Sequence, residues 1–535
     1  MASVFLFRGK IINFKVKNIK NKALIIVDFC QSPIIEISGE VACKLLEKNS
    51  NVEILIVDDY LPSDGFSRRL PKLFDWFDIP LTFKRIFLKK ASSNIKFTHK
   101  VIQKNIPYYD WPLCLKNSFE KINTNRELSI KEILDNIKLN NVDIGAGILS
   151  SIISNSKDNN PNYSTYKKVI DKAFNEFARR YSFFINYFNN NYNYDELFIF
   201  NGRLASNKSL LSALSYFKKD LKIFYYERSH ILDTYTIRDF MPHDRFRIYE
   251  EINKYWKNVS SLKEAKLIAE TYFRQRINGN GLSWYAYSTG INDKKSNQII
   301  KSLFCNEKKE QKKIVFFSSS EDEFESLGEK WYRGKEKLRQ FEIIENISQF
   351  VDSKGYKLFI RIHPNFKISS NRVKNKWINF LQKIRSENTE IISYDSKISS
   401  YGIIEKMDLV VVYGSTIGIE AAYLGKEVIV TGPSYYSQIN AKINVINNIE
   451  GLKNIMSEIL NSEKINSDQI SESTLPYGYW CYKSGIKFKN YIPASALNGK
   501  YYGKNLDFTL KILVKIKRIF GFPYDLFRKI KKITS

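Results

Sequence analysis

The sequence predicts an α/β protein of two doubly wound domains that face a central cleft. Three observations lead to this prediction. Short runs rich in β-branched residues alternate with segments of helical periodicity in both halves of the chain. A stretch rich in Gly, Asn and Ser lies between the two alternating regions, at 276–311. The length of 535 residues also exceeds what one hydrophobic core usually organises.

The first alternating region begins with "KALIIVDF" (22–29) as a strand, "SGEVACKLLEKN" (38–49) as a helix and "VEILIVDD" (52–59) as a second strand. The same order returns in "ELFIFNG", "NKSLLSALSYFKKD" and "LKIFYYE", at 196–227. A strand, a helix and a second strand in succession favour parallel pairing. We therefore expect residues 1–275 to form an N-terminal Rossmann-like domain.

The second region is more regular and predicts five strands with four helices between them. Its strands are "KKIVFFSSS", "YKLFIRIHP", "TEIISYDS", "DLVVVYGST" and "EVIVTGP". We expect residues 312–502 to form a C-terminal Rossmann-like domain, joined to the first by a linker at 276–311.

The last 33 residues, 503–535, carry nine Lys or Arg and two Asp. Ile512, Leu513, Ile516, Ile519 and Phe520 share one helical face, which predicts a basic amphipathic tail that lies on an anionic membrane surface. A helix docked on the protein's own core is the alternative.

Composition limits the class of protein. The hydrophobic fraction of 43% is sufficient for two cores and excludes general disorder. The five cysteines are scattered and lack CxxC spacing, so neither a disulfide framework nor a zinc site is expected. No signal-peptide core and no long uncharged apolar stretch occurs, which predicts a cytoplasmic protein, peripheral on the inner face of the membrane.

The net charge of +28 suggests a polyanionic partner, although a chain rich in Lys, Asn and Ile also fits the composition bias of an AT-rich genome. Nucleic acid is the least favoured partner, because the basic residues lack interleaved stacking motifs. Anionic lipid and a phosphorylated substrate remain as candidate partners.

Ligands of open parallel sheets bind beyond the carboxyl ends of the strands, and the unusual residues of the second half lie there. Arg361 and His363 alternate at the end of "KLFIRIHP", so we expect both on one face, as a guanidinium fork and an imidazole donor for a phosphate. In a purely structural interpretation, His363 only orders its loop. The other candidates for nucleotide binding are Ser319, Gly414, Ser415, Thr416 and Glu420.

Carboxylates that could serve as a catalytic base lie in both halves. Asp322 and Glu323 belong to an acidic run that follows a strand, and Glu227 ends a strand of the first half. The acidic run could equally be a solvated surface. Asn201, Arg203, His243 and Asp244 follow strands of the first half and are candidates for acceptor binding.

Several common catalytic motifs are missing from the sequence. It contains no Walker loop, GxGxxG, HExxH or GxSxG motif. Nucleotide hydrolases, dinucleotide enzymes, metalloproteases and serine esterases are therefore disfavoured.

Five stretches occur in a characteristic order within 195–435: "FNGR", "YYERS", "SSSEDEFESLGEKW", "RIHP" and "GSTIGIEAAYLGK". On these stretches the region resembles bacterial capsule and surface-polysaccharide biosynthesis proteins. "RIHP" is similar to the His-Pro motif of sialyltransferases and related Kdo transferases, and "GST" is similar to their Ser/Thr motif. The resemblance implies the two-domain GT-B fold of glycosyltransferases.

In such enzymes the C-terminal half holds a nucleotide-sugar donor, and the N-terminal half receives a glycan or glycolipid acceptor. Carried over to this chain, Arg361, His363, Ser415 and Thr416 would bind the donor, with CMP-linked sugars such as Kdo or sialic-acid-like sugars expected. No cofactor or metal is expected beyond the co-substrate. The acidic motif of sialyltransferases has no convincing copy. Glu227 is the preferred base because it ends a strand of the acceptor-side domain, and Asp322 and Glu323 are the alternatives.

Two other functions remain compatible with these residues. One is a CDP-polyol phosphotransferase of a teichoic-acid-like polymer, which would use a similar phosphate site. The other is a non-catalytic polysaccharide assembly or export factor.

Overall fold

The computed structural model shows two α/β domains. It describes residues 6–7, 10–11, 21–28, 33–48, 50–58, 95–102, 106–124, 129–191, 193–217, 221–279, 288–305, 310–320, 322, 325–327, 338–439, 441–462, 466–495, 498–501 and 504–505.

The first domain contains a seven-stranded sheet. Its strands are β1 (Lys22–Val27), β2 (Asn51–Asp58), β3 (Ile95–Val101), β4 (Glu196–Phe200), β5 (Lys222–Arg228), β6 (Thr234–Arg238) and, from the far end of the chain, β13 (Ile486–Lys487). They lie in the order β13-β6-β5-β4-β1-β2-β3. Only the pairs β5–β6 and β6–β13 are antiparallel.

The second domain contains a six-stranded parallel sheet. Its strands are β7 (Lys313–Phe317), β8 (Lys357–Arg361), β9 (Thr389–Ile392), β10 (Leu409–Val412), β11 (Glu427–Val430) and β12 (Asn444–Val445). The order β9-β8-β7-β10-β11-β12 is that of a doubly wound nucleotide-binding sheet. Its strand order reverses between β7 and β10, which is where such sheets bind ligands.

The helices of the first half are α1 (Ile34–Glu47), α2 (Leu113–Thr124), α3 (Ile130–Leu134), α4 (Ile144–Ser156), α5 (Tyr163–Asn191), α6 (Ala205–Tyr216), α7 (Arg245–Lys257) and α8 (Leu262–Ile277). Those of the second half are α9 (Lys294–Leu303), α10 (Gln340–Lys354), α11 (Asn371–Lys383), α12 (Ser400–Glu405), α13 (Ile417–Tyr423), α14 (Ile449–Asn461), α15 (Ser467–Ser473) and α16 (Leu475–Lys483).

Both sheets are covered on both faces, which explains why their strands read as continuous apolar runs. In β1, Ala23, Ile25 and Val27 pack toward α1, while Leu24 and Ile26 pack toward α5 and α6. The second sheet packs one face against α10, α11 and α14, and the other against α7, α8, α13 and α16. The predicted fold class, two Rossmann-like domains, is confirmed.

The predicted domain limits differ from the observed packing. Helices α7 and α8 belong to the range predicted for the first domain, but they contribute to the core on the second sheet. The predicted linker contains the helix α9, whose Ile300 is buried in that same core. The polypeptide therefore crosses to the second domain soon after β6.

The chain returns to the first domain after α16. Strand β13 pairs with β6, and the backbone N–H groups of Lys489, Asn490 and Tyr491 donate to the carboxylate of Glu40 in α1, at 2.8–3.2 Å. Glu40 is only 3% exposed, so this contact fixes the returning segment inside the protein. The predicted limit of the second domain at residue 502 therefore includes a segment that completes the first.

Smaller strands lie outside the two sheets: Leu6–Phe7 with Lys10–Ile11, Lys138–Leu139 with Val142–Asp143, and Tyr491–Ser495 with Asn498–Tyr501 and Lys504–Asn505. Apart from residues 504–505, the predicted tail at 503–535 lies outside the described residues, as does Glu323. Within the described part of the chain, no helix is long and apolar enough to span a membrane.

Candidate active site

A cavity of about 1000 Å³ opens between the two domains. The second domain supplies the carboxyl ends of its central strands: Ser318–Ser320 after β7, His363 after β8 and Tyr413 after β10. The first domain supplies the segments around 129–135 and 157–160. The cavity therefore lies at the point where the strand order reverses, as the sheet topology requires.

His363 lines this cavity at the end of the "RIHP" strand. Its backbone N–H donates to Ser318 Oγ at 2.8 Å, and its Nδ1 accepts from the backbone N–H of Asn365 at 3.2 Å. Burial lowers the pKa of His363 to about 4, with Asp322 opposing and Arg361 adding to this shift. At neutral pH the ring is therefore uncharged, and Nε2 carries the proton that can be donated to a ligand.

Arg361 does not join His363 as the predicted guanidinium fork. Its Nη1 donates to the carbonyl oxygen of Ser393 and its Nη2 to that of Ser396, at 2.9 Å for the latter. The side chain is buried, which lowers its pKa to about 10, and it is not among the residues that line the cavity. Because the loop after β9 needs donors for its carbonyls, Arg361 orders that loop.

The serine loop after β7 is held in place from both sides. Ser319 Oγ donates to the carbonyl oxygen of Tyr413, and the amide of Gln340 exchanges hydrogen bonds with the backbone of Ser319 at 2.8 and 3.1 Å. Ser319 is 8% exposed and lines the cavity. The predicted ligand-binding serine therefore lies where it was expected.

The "GST" turn lies beside the same loop, on the side of β7 opposite to β8. Gly414 has φ 68°, a conformation that favours glycine. The carbonyl oxygen of Ser415 accepts from the hydroxyl of Tyr436, and the exposed Thr416 precedes α13. None of these three predicted residues lines the cavity, so their donor contacts stay a prediction.

Glu420 has a structural role that the sequence did not indicate. Its carboxylate accepts from Arg276 at 2.7 and 2.8 Å and from the hydroxyl of Tyr401 at 2.9 Å. It is 2% exposed, and the attraction of Glu420 raises the pKa of Arg276 well above its ordinary value. A carboxylate committed in this way is not available to the ribose or base of a nucleotide, so the predicted contact is corrected.

Of the two candidate bases that the structure describes, Asp322 lines the cavity and Glu227 does not. Its Oδ1 accepts from the hydroxyl of Ser320, and its Oδ2 lies 3.3 Å from Lys157 Nζ of the first domain. A second ion pair, Lys131 to Glu325 at 3.0 Å, also crosses the cleft. The acidic run therefore does not simply face solvent: two of its carboxylates meet cations of the opposite domain.

Glu227, the other predicted base, lies in a separate polar network. Asn201 Nδ2 donates to Glu227 Oε2 and contacts His243 Nε2, both at 2.9 Å. His243 Nδ1 lies 3.3 Å from the hydroxyl of Tyr435, in the second domain. Asn201 is held in the left-handed region at φ 63°, and its Oδ1 accepts from the backbone N–H of Arg203.

Burial lowers the pKa of His243 to about 3, and the charge of Arg203 adds to this effect. An Asn201 amide that donates to Nε2 requires an unprotonated nitrogen there, so Nδ1 carries the hydrogen. The structure brings Asn201, Glu227 and His243 together, but none of them lines the described cavity.

The remaining two predicted acceptor residues have other contacts. Arg203 Nη1 donates to Ser150 Oγ at 2.6 Å and to Ser326 Oγ of the second domain at 2.9 Å, so it links the domains. Asp244 caps α7, where its Oδ1 accepts from the backbone N–H groups of Phe246 and Arg247. The capping contact gives Asp244 a structural role, and its contact with an acceptor stays a prediction.

Sequence reasoning missed the first-domain side of the cavity. Lys131, Lys157 and Asp158 come from a helical region whose pattern shows only amphipathic helices. Arg372 lies at the start of α11 and meets Asp158 at 2.9 Å. No local signal reveals these residues, because each acquires its position through a partner in the other domain.

The cavity thus combines a neutral imidazole donor, hydroxyls of an ordered loop, cations from both domains and a carboxylate. Such a set can bind an anionic leaving group and accept a proton from a hydroxyl. No group of three or more His, Cys, Asp or Glu side chains among the described residues is arranged to hold a metal ion.

No protein-family model and no curated protein sequence matches the chain. Similar solved structures include KpsC, a β-Kdo 2,4 transferase of Thermosulfurimonas dismutans, with 11% identity and a TM-score of 0.33 over 53% of this chain and 79% of that one. A glycosyltransferase from Rickettsia africae has 11% identity and a TM-score of 0.32, covering 87% and 95%. The N-terminal domain of Candida albicans trehalose-6-phosphate phosphatase has 10% identity and a TM-score of 0.38, covering 90% and 97%.

Proposed function

We propose that this protein is an enzyme, a glycosyltransferase of the GT-B type. It transfers a sugar from a nucleotide-linked donor, CMP-linked by preference, to a growing capsule or lipopolysaccharide glycan. The observation that carries the proposal is the position of His363, which lies with the Ser318–Ser320 loop and Asp322 in one cavity between two Rossmann-like domains. The sequence resemblance of "RIHP" to the His-Pro motif supports the choice of donor.

In the proposed reaction, His363 donates from Nε2 to the departing phosphate. Asp322 accepts the proton of the acceptor hydroxyl, whose oxygen forms the new bond to the sugar carbon as the bond from that carbon to the phosphate oxygen breaks. The electron pair of the broken bond remains on the phosphate, where the cavity cations stabilise it. Side chains from both domains that line the cavity supply the positioning.

A thermal-shift screen of CMP, CDP, UDP and GDP tests the donor class, since a ligand that binds only the native state raises the melting temperature. We expect CMP to give the largest shift and His363→Ala to abolish it. Lys167→Gln is the control, because Lys167 pairs with Asp171 on an exposed helix surface. A preference for UDP or GDP would contradict the CMP assignment.

The same screen separates the two other functions. A preference for CDP together with phosphodiester-linked product would favour polyol-phosphate transfer. Absence of any nucleotide shift, with polymer synthesis unchanged in His363→Ala, would favour a non-catalytic assembly factor.

We also propose that residues 503–535 bind an anionic membrane surface, on the strength of their charge and helical periodicity. Cosedimentation with vesicles of mixed anionic and zwitterionic lipid should fall when salt rises and when these residues are deleted. Equal binding to purely zwitterionic vesicles would contradict the electrostatic part of the proposal.

A further inference from the structure

Lys157 has an unusual backbone conformation. It follows α4 in the left-handed region, with φ 54° and ψ 34°. Five non-glycine residues in the described part of the chain have positive φ, and the other four are asparagines. Asparagine tolerates this region well, whereas a long side chain with an ordinary Cβ is disfavoured there. Glycine or asparagine would suit this helix end better, and residues in such disfavoured backbone conformations cluster at functional sites.

The side chain of Lys157 reaches across the cleft. Its Nζ lies 3.3 Å from Asp322 Oδ2, and both residues line the cavity that contains His363. The Lys157 side chain is 34% exposed, so the ion pair is open to the cavity and not sealed. An ammonium group has three N–H donors. Because the Lys157–Asp322 pair is solvent-accessible and 3.3 Å long, the ammonium can release Asp322 and bind another anion.

The next residue fixes Lys157 in position. Asp158 is 2% exposed; its Oδ2 accepts from the Tyr166 hydroxyl at 3.0 Å and from Arg372 Nη1 at 2.9 Å. Arg372 Nη1 also donates to the carbonyl oxygen of Asn160 at 2.8 Å. Arg372 belongs to the second domain, is 44% exposed and lines the same cavity. Asp158 therefore ties the segment that carries Lys157 to Arg372, and the two cations, one from each domain, line the same cavity.

We infer that Lys157 is the first domain's ligand for the donor phosphate, with Arg372 as its counterpart in the second domain. This inference rests on the proposed function and names residues that the motif resemblance does not contain. Before the donor binds, Lys157 pairs with Asp322. When the donor binds, its phosphate replaces Asp322 as the partner of the Lys157 ammonium group. Asp322 can then accept the proton of the acceptor hydroxyl.

Paired ligands with and without the phosphate test this inference: CMP against cytidine, and UDP against uridine. Calorimetric titration of Lys157→Gly should show affinity for the nucleotide reduced by about tenfold or more, because a charge-assisted hydrogen bond is lost, and affinity for the nucleoside unchanged. The melting temperature of Lys157→Gly should equal or exceed that of the wild type, since glycine relieves the left-handed backbone. We expect Lys157→Asn to give the same results as Lys157→Gly in titration and melting, and Lys167→Gln to match the wild type in every measurement.

Three outcomes are distinguishable. Wild-type protein that binds neither nucleotide overturns the proposed function itself. Wild-type binding with unchanged nucleotide affinity in both Lys157→Gly and Lys157→Asn overturns the role of Lys157 alone. A lower melting temperature with equal loss of nucleotide and nucleoside binding assigns Lys157 a structural role and also overturns the inference.

Discussion

Replacing Glu420 by Gln tests whether this residue stabilises the fold or binds a nucleotide. The Glu420 carboxylate is 2% exposed and accepts two hydrogen bonds from Arg276 and one from Tyr401. The change removes the charge that neutralises a largely buried guanidinium, and breaking such a pair costs roughly 3–5 kcal/mol of folding free energy. For a domain of this size, each kcal/mol corresponds to about 2–4 °C in melting temperature. We therefore expect the second domain to melt roughly 6–20 °C lower.

Differential scanning calorimetry of the whole chain measures this effect, because the two domains can give separate transitions. Glu472→Gln is a matched control: Glu472 of α15 pairs at 2.8 Å with Lys266, which lies in α8 as Arg276 does, but both side chains are exposed. We expect that control to shift the transition by no more than about 0.5 kcal/mol. A Glu420→Gln protein with unchanged melting and lost nucleotide binding would refute the structural assignment.

Three further changes follow from the described contacts. Burial lowers the pKa of His243 to about 3, below the ordinary histidine value of about 6.5. The folded protein therefore loses stability as pH falls from 6.5 toward 3, by up to about 1.4 kcal/mol per pH unit. Denaturation at pH 7, 5 and 4 should show a shallower loss of stability in His243→Gln. Glu40→Gln should weaken the hold on the backbone N–H groups of 489–491 and speed limited proteolysis there; cleavage at the wild-type rate would contradict this. Asp244→Ala should cost about 1 kcal/mol of stability as a lost helix cap, and a selective rise in acceptor KM without destabilisation would instead support the predicted acceptor role.

The strands of both sheets could be predicted because two buried faces produce apolar runs that stand out from helical periodicity. The runs at 22–29 and 312–320 contain β1 and β7 of the structure. Strands β12 and β13 have only two residues each, and nothing in so short a segment identifies a strand. Strand β13 pairs with β6 because the chain returns from the second domain to the first, and no local sequence pattern predicts this return.

The candidate site could be predicted in part. His363 and Ser319 were found because polar residues that follow apolar strands must lie at one edge of a parallel sheet. Arg361 and Glu420 follow the same rule but turn to partners inside the protein, and sequence position alone does not distinguish a committed ionic group from an available one. The role proposed for Lys157 depends on its ion pair with Asp322 of the other domain, which the sequence does not show.

The return of the chain to its first domain has a consequence for biosynthesis. As the polypeptide leaves the ribosome, α1 and the first strands emerge long before residues 486–491, which cover the edge of their sheet and satisfy Glu40. Until residues 486–491 have been translated, that edge exposes unpaired backbone and the Glu40 carboxylate lacks these donors. Nascent chains arrested before residue 484 should therefore recruit chaperones that chains extending beyond residue 491 no longer need.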